Sequence, residues 1–172
     1  MSETSATMEQ LKFDSHHALV TKPDNIEVLY SWMDYGDVLS EKMRNGRLLL
    51  ATDTSLITNL KSIVSSVMLI NDIVLYRGMT CEFNKKDFPF WPIMYANQFT
   101  SLSPNINTAT DYGGNVMEVL IPRSSHAFYI SAWENFNLDI NPSDEKEILV
   151  LPGVFNCIGH ENNVYKFLFK EN

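Results

Sequence analysis

The sequence predicts an α+β domain, on three observations. Apolar residues recur at helical spacing as far as Val67, short β-rich runs take over after Asn71-Asp72, and 172 residues are enough for one domain with a substantial core. Helices first and strands afterwards favour α+β over alternating α/β order. Apolar residues at 45%, charged at 20% and aromatics at 12% are the balance of a folded protein and argue against wholesale disorder.

Residues 1–24 carry few large apolar groups, include His16 and His17, and close on Pro23-Asp24. They read as a loosely ordered arm or a partly docked helix, leaving 25–172 as a single domain. From Asn25, the spacing of Ile26, Leu29, Tyr30 and Met33 predicts an amphipathic helix capped by Asp24 or Asn25. Gly36-Asp37 reads as a break, and Val38, Leu39 and Met43 as a second helix that ends near Asn45 before Gly46. Thr52 to Ser55 form an N-cap cluster, and Leu56, Ile57, Leu60, Ile63, Val64 and Val67 give a third helix one apolar face. Strands are predicted at Ile73 to Tyr76, closed by Arg77-Gly78, and at Gln98–Ser101, Val116–Ile121, Ala127–Ile130, Ile148–Leu151 and Val164–Phe169. Two long connections, Thr80–Asn97 and Ser131–Asp144, contain Trp91 and Trp133, and connections of that length are often functional.

Composition excludes several classes. Thirteen Lys+Arg against 21 Asp+Glu give a charge of −8, so the chain lacks the broad cationic field that non-specific nucleic-acid or anionic-membrane binding needs. The longest apolar runs, such as Leu48 to Ala51 and Val67 to Ile70, span four residues, far below the roughly 20 of a membrane-crossing helix. The polar N-terminus lacks the charged and apolar regions of a secretory signal, so the expectation is no Sec export. Cys81 and Cys157 make neither a disulfide framework nor a zinc set and are expected to be buried free thiols, as in a reducing cytosol. His126 and His160 are isolated and read as structural or surface residues.

Three segments stand out, although each alone has an ordinary reading. Leu75-Tyr76-Arg77-Gly78 is a strand ending in a guanidinium, as exposed strand ends often do. Phe99-Thr100-Ser101-Leu102-Ser103-Pro104-Asn105, followed by Ala109 and Tyr112-Gly113-Gly114, is a strand entering a polar turn. Asp144-Glu145-Lys146-Glu147 leads directly into Ile148-Leu149-Val150-Leu151-Pro152-Gly153, where charges commonly act as gatekeepers.

Their order changes the reading. Arginine in Tyr-Arg-Gly, then Phe-x-Ser-x-Ser with Ala-x-x-Tyr-Gly behind it, then Glu-x-Glu-Ile-Leu-x-Leu-Pro-Gly, resembles the arginine-serine-glutamate class of mono-ADP-ribosyltransferases. That class spans bacterial toxins, vertebrate ecto-enzymes and bacteriophage enzymes. The resemblance covers about residues 25 to 172, and Leu39 to Arg44 is similar to the helix that precedes the arginine strand in this class. It implies two packed β-sheets forming an NAD cleft with helices on the N-terminal side. It also implies NAD as co-substrate without a metal, and transfer of ADP-ribose to a protein in the cytoplasm of the host cell. A bacteriophage protein or an injected toxin effector fits these expectations.

The resemblance also implies roles. Arg77 would clamp the NAD pyrophosphate through a planar fork that never loses its charge, helped by Arg44. Gly78 would present backbone to the nicotinamide carboxamide, Ser101 would orient the catalytic glutamate and the ribose, and Tyr112 would cover the cationic pyridinium. Glu147 matches the second glutamate of the motif, which stabilises the oxocarbenium-like centre at C1′. Glu145 stands where a glutamate accompanies arginine acceptors, and a carboxylate pairs naturally with a guanidinium. The implied acceptor is therefore a protein arginine, with NAD hydrolysis or a non-catalytic binding domain as rival readings. Departures from the motif are Leu102 in place of threonine, Ser40 in place of asparagine, and Asn115 where several toxins carry a second basic residue.

Overall fold

The computed structural model describes residues 3–79, 93–132 and 147–172. Three helices come first: α1 (Glu3–Thr21), α2 (Asn25–Arg44) and α3 (Ala51–Val64). They are followed by β1 (Ile73–Met79), β2 (Ile93–Ala96), β3 (Thr100–Leu102), α4 (Ile106–Asp111), β4 (Asn115–Ile121), β5 (Ala127–Tyr129), β6 (Ile148–Val150), β7 (Gly153–Glu161) and β8 (Val164–Glu171). A five-stranded sheet has the order β1-β4-β8-β7-β2, and a three-stranded sheet the order β3-β6-β5. Among the described strands only β4 and β8 pair in parallel, with Val119 opposite Phe167. The α+β architecture with two sheets behind N-terminal helices is the one expected.

Alternation builds the core. Tyr165, Phe167 and Phe169 on β8 meet Phe155 and Cys157 on β7 on the buried face, as a period of two requires. Every residue of β5 and β6 is buried, which marks a small sheet covered on both faces. Both sheets feed one continuous core.

Of the two readings of residues 1–24, a loose arm or a partly docked helix, the structure has the second: they form α1 over most of their length. Met8, Leu11, Ser15 and Leu19 are all buried, a spacing of three and four that lays one stripe on the domain. The Ser15 hydroxyl accepts the Tyr129 N–H of β5 at 3.0 Å. The exposed Phe13 and Val20 scatter apolar residues around the helix and hide this stripe in the sequence.

The expected break at Gly36-Asp37 is absent, and α2 runs through it. Its buried residues are Leu29, Trp32, Gly36 and Leu39, one column away from the stripe read through Met33, which is 37% exposed. A Cβ at Gly36 would lie 2.9 Å from the Trp32 indole, so the glycine makes room for that ring. An interior glycine costs a helix about 1 kcal/mol, which packing can outweigh.

Other boundaries shift as well. The Asp53 carboxylate accepts the Leu50 N–H at 2.8 Å, starting α3 at Ala51, and α3 ends at Val64 rather than Val67. Strand β1 continues through Arg77-Gly78 to Met79, whereas β3 begins at Thr100 rather than Gln98. Within the expected Thr80–Asn97 connection lies β2, and both α4 and β7 escaped the sequence reading. Cys157 is a buried free thiol, while Cys81, Trp91 and Trp133 lie outside the described residues. His126 is tied to Glu171 at 2.8 Å and His160 packs on Tyr165. Among the described residues no helix is long and apolar enough to cross a membrane.

Candidate active site

Strand pairing assembles the centre of the site. Ser101 on β3 stands opposite Leu149 on β6, and Glu147, two residues before Leu149, therefore projects from the same face. The Ser101 hydroxyl donates to Glu147 Oε1. Behind it, the Glu147 carbonyl accepts the Ile130 N–H at 3.0 Å, fixing the backbone that carries the carboxylate.

The other wall comes from the larger sheet. Tyr76 on β1 and Ser103 exchange two backbone hydrogen bonds of 2.7 Å, which joins the two sheets beside the site. Arg77 follows immediately, and its Nη1 donates to the Ser101 carbonyl at 2.8 Å. Burial against the cleft wall, and then the nearby Arg44 charge, lower the Arg77 pKa, while Glu147 and Asp37 oppose the shift. Arginine begins so far above neutrality that the guanidinium stays charged.

Helix α4 closes one end. Asn105 caps it by accepting the Asn107 N–H at 3.0 Å. A Cβ at Gly78 would lie 2.2 Å from the Ala109 carbonyl oxygen, and one at Gly113 would lie 2.1 Å from that of Met79. The two glycines thus let α4 and its exit lie directly on β1, and they leave Tyr112, 55% exposed, at the mouth.

These elements enclose a cleft of about 760 Å³ whose lining includes Arg44, Arg77, Gly78, Ser101, Tyr112 and Glu147. Every site residue read from the sequence is there except Glu145, which lies outside the described residues. Ser40 and Leu102 also line it, Leu102 at only 2% exposure. A second cavity of about 600 Å³ between α2 and α3 is lined by Asp24, Glu27, Asp34 and Asp53. Those carboxylates would repel a phosphate-bearing ligand, and none of the motif residues reaches it. Among the described residues no group of three or more His, Cys, Asp or Glu side chains could hold a metal ion.

The sequence reading missed Trp32. Its indole N–H donates to Glu147 Oε1 at 3.4 Å, and its ring meets Phe99 edge-on, with centroids 5.8 Å apart and planes at 72°. A tryptophan four residues before a mid-helix glycine was the available signal.

No family model matches the chain, and no curated protein matches it. Solved structures do. A C3-type ADP-ribosyltransferase from Clostridium botulinum superposes with a TM-score of 0.73 at 13% identity, over 98% of this chain and 96% of that one. C3stau2 from S. aureus, solved with NAD, gives 0.73 at 13% identity, over 99% of this chain and 95% of that one. The ADP-ribosylating toxin BECa of C. perfringens, solved with NADH, gives 0.72 at 13% identity over 98% of this chain. The chain spans about half of BECa, 49% of its length. At these identities the likeness establishes architecture, and the two sheets, the N-terminal helices and their connectivity are those of the ADP-ribosyltransferase toxin fold.

Proposed function

We propose that the protein is a mono-ADP-ribosyltransferase that cleaves NAD, releases nicotinamide and transfers ADP-ribose to an arginine on a target protein. The observation that carries this reading is the Ser101–Glu147 hydrogen bond facing Arg77 across one cleft, within a fold shared with ADP-ribosylating toxins. A volume of about 760 Å³ suits a small-molecule site, commonly 300–1,000 Å³, and two guanidiniums on its wall suit a pyrophosphate.

The chemistry follows from charge. Breaking the bond between C1′ and nicotinamide turns a pyridinium into a neutral leaving group, so no general acid is needed. Positive charge moves to C1′, and a Glu147 carboxylate hydrogen-bonded to the ribose 2′-hydroxyl stabilises charge that exists only in the transition state. Ser101 holds that carboxylate, Gly78 offers backbone to the carboxamide, and Tyr112 shields the pyridinium. The acceptor guanidinium then forms the new C1′–N bond and loses a proton, a loss that Glu145 would assist.

The test is labelled NAD incubated with cell lysates, followed by mass spectrometry of the modified residue. Glu147→Gln keeps shape and removes charge, so transfer should fall about 10²-fold or more with NAD binding retained. Wild-type turnover in this variant would refute the assignment. Free ADP-ribose without labelled protein would favour the NAD glycohydrolase reading, and modification of another residue type would overturn the arginine assignment.

A further inference from the structure

Trp32 is buried at 6% exposure, and a buried indole N–H requires an acceptor. The acceptor is Glu147 Oε1 at 3.4 Å, the oxygen that also accepts the Ser101 hydroxyl. The ring is held on two further sides. Phe99, two residues before Ser101, meets it edge-on, and Gly36 lies so close beneath it that an added Cβ would sit 2.9 Å from the indole. Two side-chain donors, one from β3 and one from α2, thus converge on one carboxylate oxygen.

We propose that Trp32 is a positioning residue for Glu147, holding the carboxylate's orientation from α2 while Gly36 and Phe99 hold the indole. The inference rests on the reading of Glu147 as the group that stabilises the C1′ cation. A donor that reaches the carboxylate from a second element restricts how it turns about its bond to the Ser101 hydroxyl. Both donors also favour the charged form. The other charged groups of the described cleft wall are Arg77 on β1 and Arg44 and Asp37 on α2, and variants at Trp32 or Gly36 retain all three.

Trp32→Phe keeps an aromatic ring between Gly36 and Phe99 but deletes the donor. Gly36→Ala keeps the donor and displaces the ring, at a position where alanine suits a helix better than glycine. Nicotinamide release is measured across pH for both, with melting temperatures and with Glu147→Gln alongside. In each variant, kcat should fall about tenfold with KM for NAD within about twofold. The acid limb of the rate profile should move to higher pH, because a carboxylate that loses a donor stays protonated longer. An acid limb superimposable on wild type, with only a lower melting temperature, would reduce Trp32 to a packing residue and overturn the inference. If Trp32→Phe does not fold, the Gly36→Ala profile decides. Glu147→Gln separates the layers: if it cleaves NAD normally, the reading of the dyad fails and takes the inference with it. If it is inactive while both variants keep the wild-type limb, only the role of Trp32 falls.

Discussion

Gly78 has two candidate duties, seating α4 on β1 and presenting backbone to a ligand, and Gly78→Ala separates them. The added Cβ would lie 2.2 Å from the Ala109 carbonyl oxygen and 2.8 Å from Tyr112 Cβ, about 1.2 Å short of the 3.4 Å where ordinary contact begins for the first. That obstacle is backbone, and Ala109 is itself buried at 2% exposure, so α4 has to shift as a unit. Overpacking of a tight contact costs 1–3 kcal/mol, and a backbone clash belongs near the upper end, about 3 kcal/mol. For a domain of this size that lowers the melting temperature by roughly 6–12 °C. Gly113→Ala strains the same seam, with a Cβ 2.1 Å from the Met79 carbonyl oxygen, and should behave alike. Thermal melts of both variants, with NAD titration calorimetry on each, form the assay. A melting temperature within about 2 °C of wild type would refute the packing argument. An unchanged melt with lost NAD affinity would assign Gly78 to the ligand alone.

Arg77→Lys should raise the NAD dissociation constant about tenfold or more, because an ammonium cannot keep the 2.8 Å bond to the Ser101 carbonyl and also present a planar fork to phosphate. Unchanged affinity by calorimetry would make Arg77 an ordinary strand-end residue. Glu145→Gln should abolish arginine modification yet leave appreciable cleavage of NAD by water, since only transfer needs a nucleophile held in line; equal loss of both activities would assign Glu145 to cleavage. Asp53, bonded first to Lys42 and then to the Leu50 N–H, has a pKa below its ordinary 3.8. Its contribution to stability is therefore complete above the unfolded-state value and lost as pH falls through the folded one. Denaturant unfolding of Asp53→Asn should show lower stability near neutrality and a shallower acid decline than wild type, and parallel declines would disprove the linkage.

Legibility varied with the range of the interactions involved. The β-rich run at Ile73 to Tyr76 and the apolar face of α3 announce themselves, because strand and helix periods are local properties. Helix α1 was only one of two readings of its segment, since its stripe passes through Ser15, a residue whose burial makes sense only once Tyr129 of β5 supplies an N–H for its hydroxyl. Gly36 read as a break for a similar reason: propensity counts its cost, and only the packed Trp32 ring reveals its use. Strand β7 was missed because Gly153, Asn156 and Gly159 interrupt a pattern that hydrogen bonding to β8 on one side and β2 on the other restores.

Amino-acid order alone determined the α+β class, the placement of helices before strands, and the motif order that pointed to Arg77, Ser101 and Glu147, because these depend on residue types and near-neighbour spacing. Tertiary structure decided how they meet. The register of β3 against β6 puts Ser101 on Glu147, the Tyr76–Ser103 bridge carries Arg77 to the same cleft, and α2 delivers Trp32 across 115 residues of sequence. Contacts across such separations depend on how strands pair and helices dock, and the pattern along any single segment contains no record of them.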